Sequence, residues 1–147
     1  MNQPSTVWSS VGKKILTGLT GLGLVLFVIV HLAGNLSFFM GPGAVNSYAN
    51  MLATIGHGIA LPIAEISLIV LFLAHIISGL AVFNDKNKAR PVAYQRSASA
   101  GGKSRKTVSS QTMIWTGLLL MLFVCIHVAQ FRLGPVYPTV EGGEKMR

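Results

Sequence analysis

From Ile15 to Met40 the chain carries no Asp, Glu, Lys or Arg. A hydrocarbon core of ~30 Å is crossed by about 20 helical residues, so this one run is long enough to span a bilayer even when tilted. It exceeds the apolar segment of a secretory signal, and no A-x-A-like cleavage site closes it, so it reads as a span rather than a leader behind Lys13 and Lys14. A second apolar run extends from Leu61 to Phe83, with Glu65 near its start as its only charge. A third extends from Met113 to Phe131, before Arg132 and Gly134-Pro135. The expected fold is therefore an all-α integral membrane protein, a transmembrane helix bundle with three spans in a single domain over residues 1–147. Composition agrees. Only 11% of the residues are charged, whereas a soluble domain averages about 25%.

The net charge of +8 invites a nucleic-acid reading, which its distribution opposes. No Lys or Arg lies between Lys14 and Lys86, whereas seven lie between the second and third runs: Lys86, Lys88, Arg90, Arg96, Lys103, Arg105 and Lys106. Basic residues confined to loops beside apolar spans report topology, not a nucleic-acid footprint. The positive-inside bias places the N-terminus and the long loop 84–111 in the cytoplasm, and the first loop and the tail outside. Within the first loop, Gly41-Pro42-Gly43 breaks the chain, and Ala44 to Ile55 reads as a short helix lying in the interface. Ser97 to Ser110, rich in Ser, Gly and Lys, reads as flexible loop.

Of the four histidines, His31, His75 and His127 fall inside spans, one in each, and His57 falls in the first loop. Ionisable residues at membrane depth are costly and point to function. At 1.5 Å per residue, His31 lies ~25 Å beyond Lys14 and His127 ~24 Å beyond Gln111, so the two share a level near the outer face. His75 lies ~15 Å from Asp85, nearer the cytoplasm. Two imidazoles facing one another across a bundle suit the two axial positions of haem iron. Zinc and copper also accept imidazole but commonly take three or four protein ligands, and a proton relay is a further use of such residues. Gly34 near His31, Ser78 and Gly79 near His75, and Phe123 and Phe131 flanking His127 fit a flat cofactor. Small residues also serve plain helix packing, to which Gly12, Gly18, Gly21 and Gly23 belong on the same argument. The single cysteine, Cys125, stands in Cys125-Ile126-His127, which is not the c-type haem attachment pattern, so any haem is held non-covalently.

His31–Leu36 (HLAGNL), Asn46–Ala49 (NSYA), His75-Ile76, Ala89–Tyr94 (ARPVAY), Thr112-Met113 with Thr116-Gly117, and His127, in this order and spacing, resemble the haem-bearing membrane anchor of succinate:quinone oxidoreductases. The nearest type is the single-subunit, two-haem cytochrome b of bacteria. The resemblance runs from about Val11 to Phe131. It implies a bacterial cytoplasmic-membrane subunit that carries a flavoprotein and an iron–sulfur subunit on its cytoplasmic face. It also implies electron transfer between succinate or fumarate and a quinone through two b haems. Mapped residue by residue, it makes His31 and His127 the distal haem pair and His75 a proximal ligand.

The family has five membrane helices, and the fourth carries the second proximal ligand. That partner for His75 is expected from outside these 147 residues. Gln111 departs from the pattern, since a basic residue precedes Thr-Met in the family. Glu65, near the outer end of span two, is a candidate for proton exchange with quinone, and equally an interfacial carboxylate beside headgroups. His57 either lines the same outer site or is a solvated loop residue. Arg90 and Tyr94 are candidates for haem propionates or the iron–sulfur subunit, and equally plain members of the basic loop. The chain lacks a nucleotide-binding glycine loop and a cysteine cluster, so no dehydrogenase centre is expected in it. The rival reading is a proton channel or transporter fragment using the intramembrane His and Glu65, and a third is a structural anchor without haem.

Overall fold

A computed structural model describes residues 8–89, 92, 101–102 and 105–135. The regular elements among the described residues are all helical, and the chain divides into two units, Met1–Ala93 and Tyr94–Arg147. Among the described residues, three helices are long and apolar enough to cross a membrane.

The first unit begins with α1 (Ser10–Asn35), whose N-terminus is set by Ser9, the side-chain oxygen accepting from the Gly12 amide at 3.0 Å. A 3₁₀ turn, Leu36–Met40, continues it to Gly41. Gly41 adopts φ 95°, a conformation that side chains resist, and lets the chain turn into α2 (Pro42–Thr54). Pro42 sits in the first turn of α2, where its missing N–H costs nothing. A tight turn, Ile55–Gly58, then leads to α3 (Ala60–Lys88). Gly56, His57 and Gly58 all have positive φ there, at 61°, 57° and 81°. The short helix expected from Ala44 to Ile55 is thus present, shifted by two residues at its start.

Helices α1 and α3 run antiparallel and pack through polar and small residues. Lys13 pairs with Asp85 at one end. One to two turns along, the Thr17 hydroxyl donates to Ser78 Oγ at 2.9 Å, and Ser78 donates to the Ala74 carbonyl at 2.7 Å. Thr20 then meets His75, and a Cβ added at Gly23 would lie 2.9 Å from Leu71 Cδ2. The buried residues among those described are Lys13, Thr20 and Ser78, and none is apolar. This inverts the arrangement of a soluble core. Lipid is as apolar as leucine, so helices meet through close backbone approach and hydrogen bonds while leucines and valines face outward.

The second unit contains α4 (Val108–Phe131). Its start is a reciprocal cap: Thr107 Oγ1 accepts from the Ser110 amide, and Ser110 Oγ from the Thr107 amide, both at 3.1 Å. At the other end the Arg132 amide donates to the Val128 carbonyl at 2.9 Å, before Gly134 and Pro135.

Two boundaries correct the expectation from sequence. The polar segment read as loop from 84 to 111 is helical at both ends, because α3 continues to Lys88 and α4 begins at Val108. The apolar runs mark what hydrocarbon can cover. Helix ends follow capping and backbone hydrogen bonds, which continue into polar sequence. Of the segment 97–110 read as flexible loop, 97–100 and 103–104 lie outside the described residues, and 108–110 are helical.

Candidate functional site: the intramembrane histidines

His75 is the best-defined of the histidines. Its Nδ1 lies 3.2 Å from the Thr20 hydroxyl and 3.2 Å from the Thr17 carbonyl oxygen, both on α1. A Cβ added at Gly21 would stand 3.1 Å from His75 Cε1 and 3.4 Å from Nδ1. The imidazole therefore lies with one edge close against α1, where a side-chain methyl would have to displace the ring by a few tenths of an ångström. Neither Thr20 nor Gly21 was singled out as a partner of His75 from sequence. Antiparallel register was the signal that pointed there, since both groups lie within a few turns of the Lys13–Asp85 ends.

His31 is on an exposed face of α1, and the Phe27 ring, one turn before it, stacks on it at 5.2 Å and 25°. In α4, Phe123 stacks on His127 at 5.4 Å and 23°, and Phe131 lies against its other side at 4.9 Å and 40°. The flanking phenyls expected around His127 are in place, and they touch the imidazole itself. Phe27 was missed, although it stands to His31 as Phe123 stands to His127, four residues earlier.

The levels within the first unit follow from the α1–α3 register. Thr20 faces His75. His31 is about 16 Å further along α1, and Glu65 about 15 Å further along α3 in the same direction. His31 and Glu65 thus share one end of the helix pair, and Lys13–Asp85 marks the other. Glu65 is half-buried in the second turn of α3, and His57 is exposed in the turn that precedes it. On α3, His75 lies midway between these levels, about 15 Å from each of Asp85 and Glu65. Among the described residues no three His, Cys, Asp or Glu side chains gather as a metal-binding group. Arg90 and Tyr94 lie outside the described residues.

The small residues divide by role. Ser78 is fully buried and hydrogen-bonded to Thr17, and a Cβ at Gly79 would contact Thr17 Cγ2 at 3.9 Å. Both therefore pack α3 against α1. Gly34, read as space for a cofactor beside His31, is filled: a Cβ there would come within 2.7 Å of Tyr48 Cζ and 2.8 Å of Cε1. The ring of Tyr48 from α2 occupies that notch, because α2 folds back across the end of α1.

Fold and site together define an all-α helical protein of membrane type, in which each of the three described helices long and apolar enough to cross a membrane carries a histidine. Searches of family models, curated proteins and solved structures found no match to the chain.

Proposed function

We propose that this chain is the haem b membrane anchor of a succinate:quinone oxidoreductase, passing electrons between an iron–sulfur subunit and membrane quinone. In this reading it sits in a bacterial cytoplasmic membrane with its N-terminus inside, beneath flavoprotein and iron–sulfur subunits. The observation that carries the reading is the state of His75. Its Nδ1 is held by two oxygens of α1, which leaves Nε2 as the donor atom that an iron ligand needs. A ligating histidine is ordinarily held in this way through its other nitrogen.

The residues then have distinct tasks. By the resemblance, His31 and His127 would hold the distal haem, and the rings of Phe27, Phe123 and Phe131 lie against those imidazoles. His75 would hold the proximal haem, with a second ligand that the resemblance assigns to a further helix. Glu65, at the level of His31, is the group that would exchange protons with quinone at the outer side. Lys86, Lys88 and Arg105 give the inner face the positive charge that orients the chain and meets acidic lipid or protein. Haem b, when bound, supplies a one-electron couple whose potential depends on its axial ligands and their hydrogen bonds.

The experiment is a reduced-minus-oxidised absorbance spectrum of the chain purified with its native partners, with haem counted per chain. A b-type spectrum is expected, reduced to a single site in His75→Ala and in His31→Ala. A colourless preparation refutes the anchor reading and favours the proton channel or transporter.

A further inference from the structure

The contacts of His75 determine more than its position. A carbonyl oxygen can only accept, so the Thr17 carbonyl at 3.2 Å favours a proton on Nδ1 without fixing it alone. The Thr20 hydroxyl donates to the Leu16 carbonyl at 2.7 Å, which leaves its oxygen free to accept from the same Nδ1–H. Both partners therefore select one tautomer, with Nδ1 protonated and Nε2 bearing the lone pair. They also select one ring orientation. A half-turn about the Cβ–Cγ bond would put Cδ2–H against both oxygens and forfeit both hydrogen bonds. Gly21 brings the α1 backbone against the same ring edge, with a Cβ there only 3.1 Å from Cε1. Thr20 itself is 6% exposed, so water does not compete for its hydroxyl.

We propose that Thr20 is a positioning residue for His75, fixing the imidazole as the Nδ1–H tautomer with Nε2 turned away from α1 as a ready electron-pair donor. The tautomer assignment stands without haem. Its consequence for electron transfer rests on the proposed haem reading. A ligand whose Nδ1–H is shared with an oxygen is more basic at Nε2, and a more basic axial ligand favours ferric iron. Loss of the Thr20 oxygen should therefore raise the midpoint potential of the His75 site.

The test uses the full chain with ¹⁵N-labelled histidine in lipid nanodiscs, first without haem. Nitrogen chemical shifts of His75 are expected to report a protonated Nδ1 and a bare Nε2 in the wild type and in Thr20→Ser. Thr20→Val, and Thr20→Ala if valine impairs insertion, should raise the Nε2–H population several-fold. After haem is added, Thr20→Val should raise the midpoint potential of the His75 site, and Thr20→Ser should keep the wild-type value. A wild-type His75 protonated at Nε2 overturns the proposal. So does a Thr20→Val chain with unchanged tautomer and potential, because a residue needed only for packing would lower the yield and move neither. A tautomer that responds to Thr20 in a chain that binds no haem keeps this assignment and refutes the haem reading alone. Haem bound at a His75 whose tautomer ignores Thr20 does the reverse.

Discussion

At the scale of single residues, the glycines of α1 separate packing from site. Gly18 has nothing within 4 Å of an added Cβ, Gly21 has the His75 ring, and Gly34 has Tyr48. Replacing glycine by alanine inside a helix gains ~0.5–1 kcal/mol where the new methyl meets nothing. Overfilling a packed contact costs about 1–3 kcal/mol. Gly18→Ala should therefore leave the thermal midpoint unchanged or slightly raised. Gly34→Ala should lower it, because the Tyr48 ring cannot give way as a flexible chain would. Gly21→Ala should be the informative case, costing little stability and displacing the imidazole, which the histidine nitrogen shifts would report. At Gly23 the opposing atom is the end of Leu71, which can swing aside, so Gly23→Ala should be mild.

At the scale of elements, both ends of the α1–α3 pair are defined by a few groups. Lys13 is buried against Asp85, with Trp8 5.7 Å from its ammonium. Asp85 is half-exposed, so the pair is partly screened and contributes at most about 1 kcal/mol. Asp85→Asn should cost about that much in thermal unfolding, and the loss should shrink in high salt, since screening already weakens the native pair. In α4, Thr107→Ala removes one half of the reciprocal cap and should cost about 1 kcal/mol of helix stability, read as a lower helical signal near that end. The existence and length of these helices were legible from apolar run length. Their facing surfaces were not. A helix surrounded by lipid is apolar all round, so the periodicity that marks the buried face of a soluble helix is absent. Thr17, Thr20 and Ser78 look like ordinary polar interruptions until the register sets them opposite one another and His75.

At the scale of the whole chain, the distribution of Lys and Arg predicts a topology that is directly testable. Cys125 is the sole cysteine, so Cys125→Ser provides a background for single-cysteine labelling. Ser47 and Arg105 are both exposed. Ser47→Cys should react with a membrane-impermeant thiol reagent from outside intact cells, and Arg105→Cys only after the membrane is opened. Equal reaction from the outside would remove the assigned orientation, and with it the inner-face docking of soluble subunits.

The sequence by itself determined the membrane class, the number of long helices, the break at Gly41-Pro42 and the placement of one histidine per span. Each of these depends on run length, charge or backbone chemistry that neighbouring residues supply. Tertiary structure alone decided that Tyr48 fills the notch at Gly34, that Ser78 and Gly79 serve helix contact, and that two oxygens of α1 hold His75. These depend on which faces of two antiparallel helices meet, and in lipid that choice rests on a few small and polar side chains whose partners are more than fifty residues away.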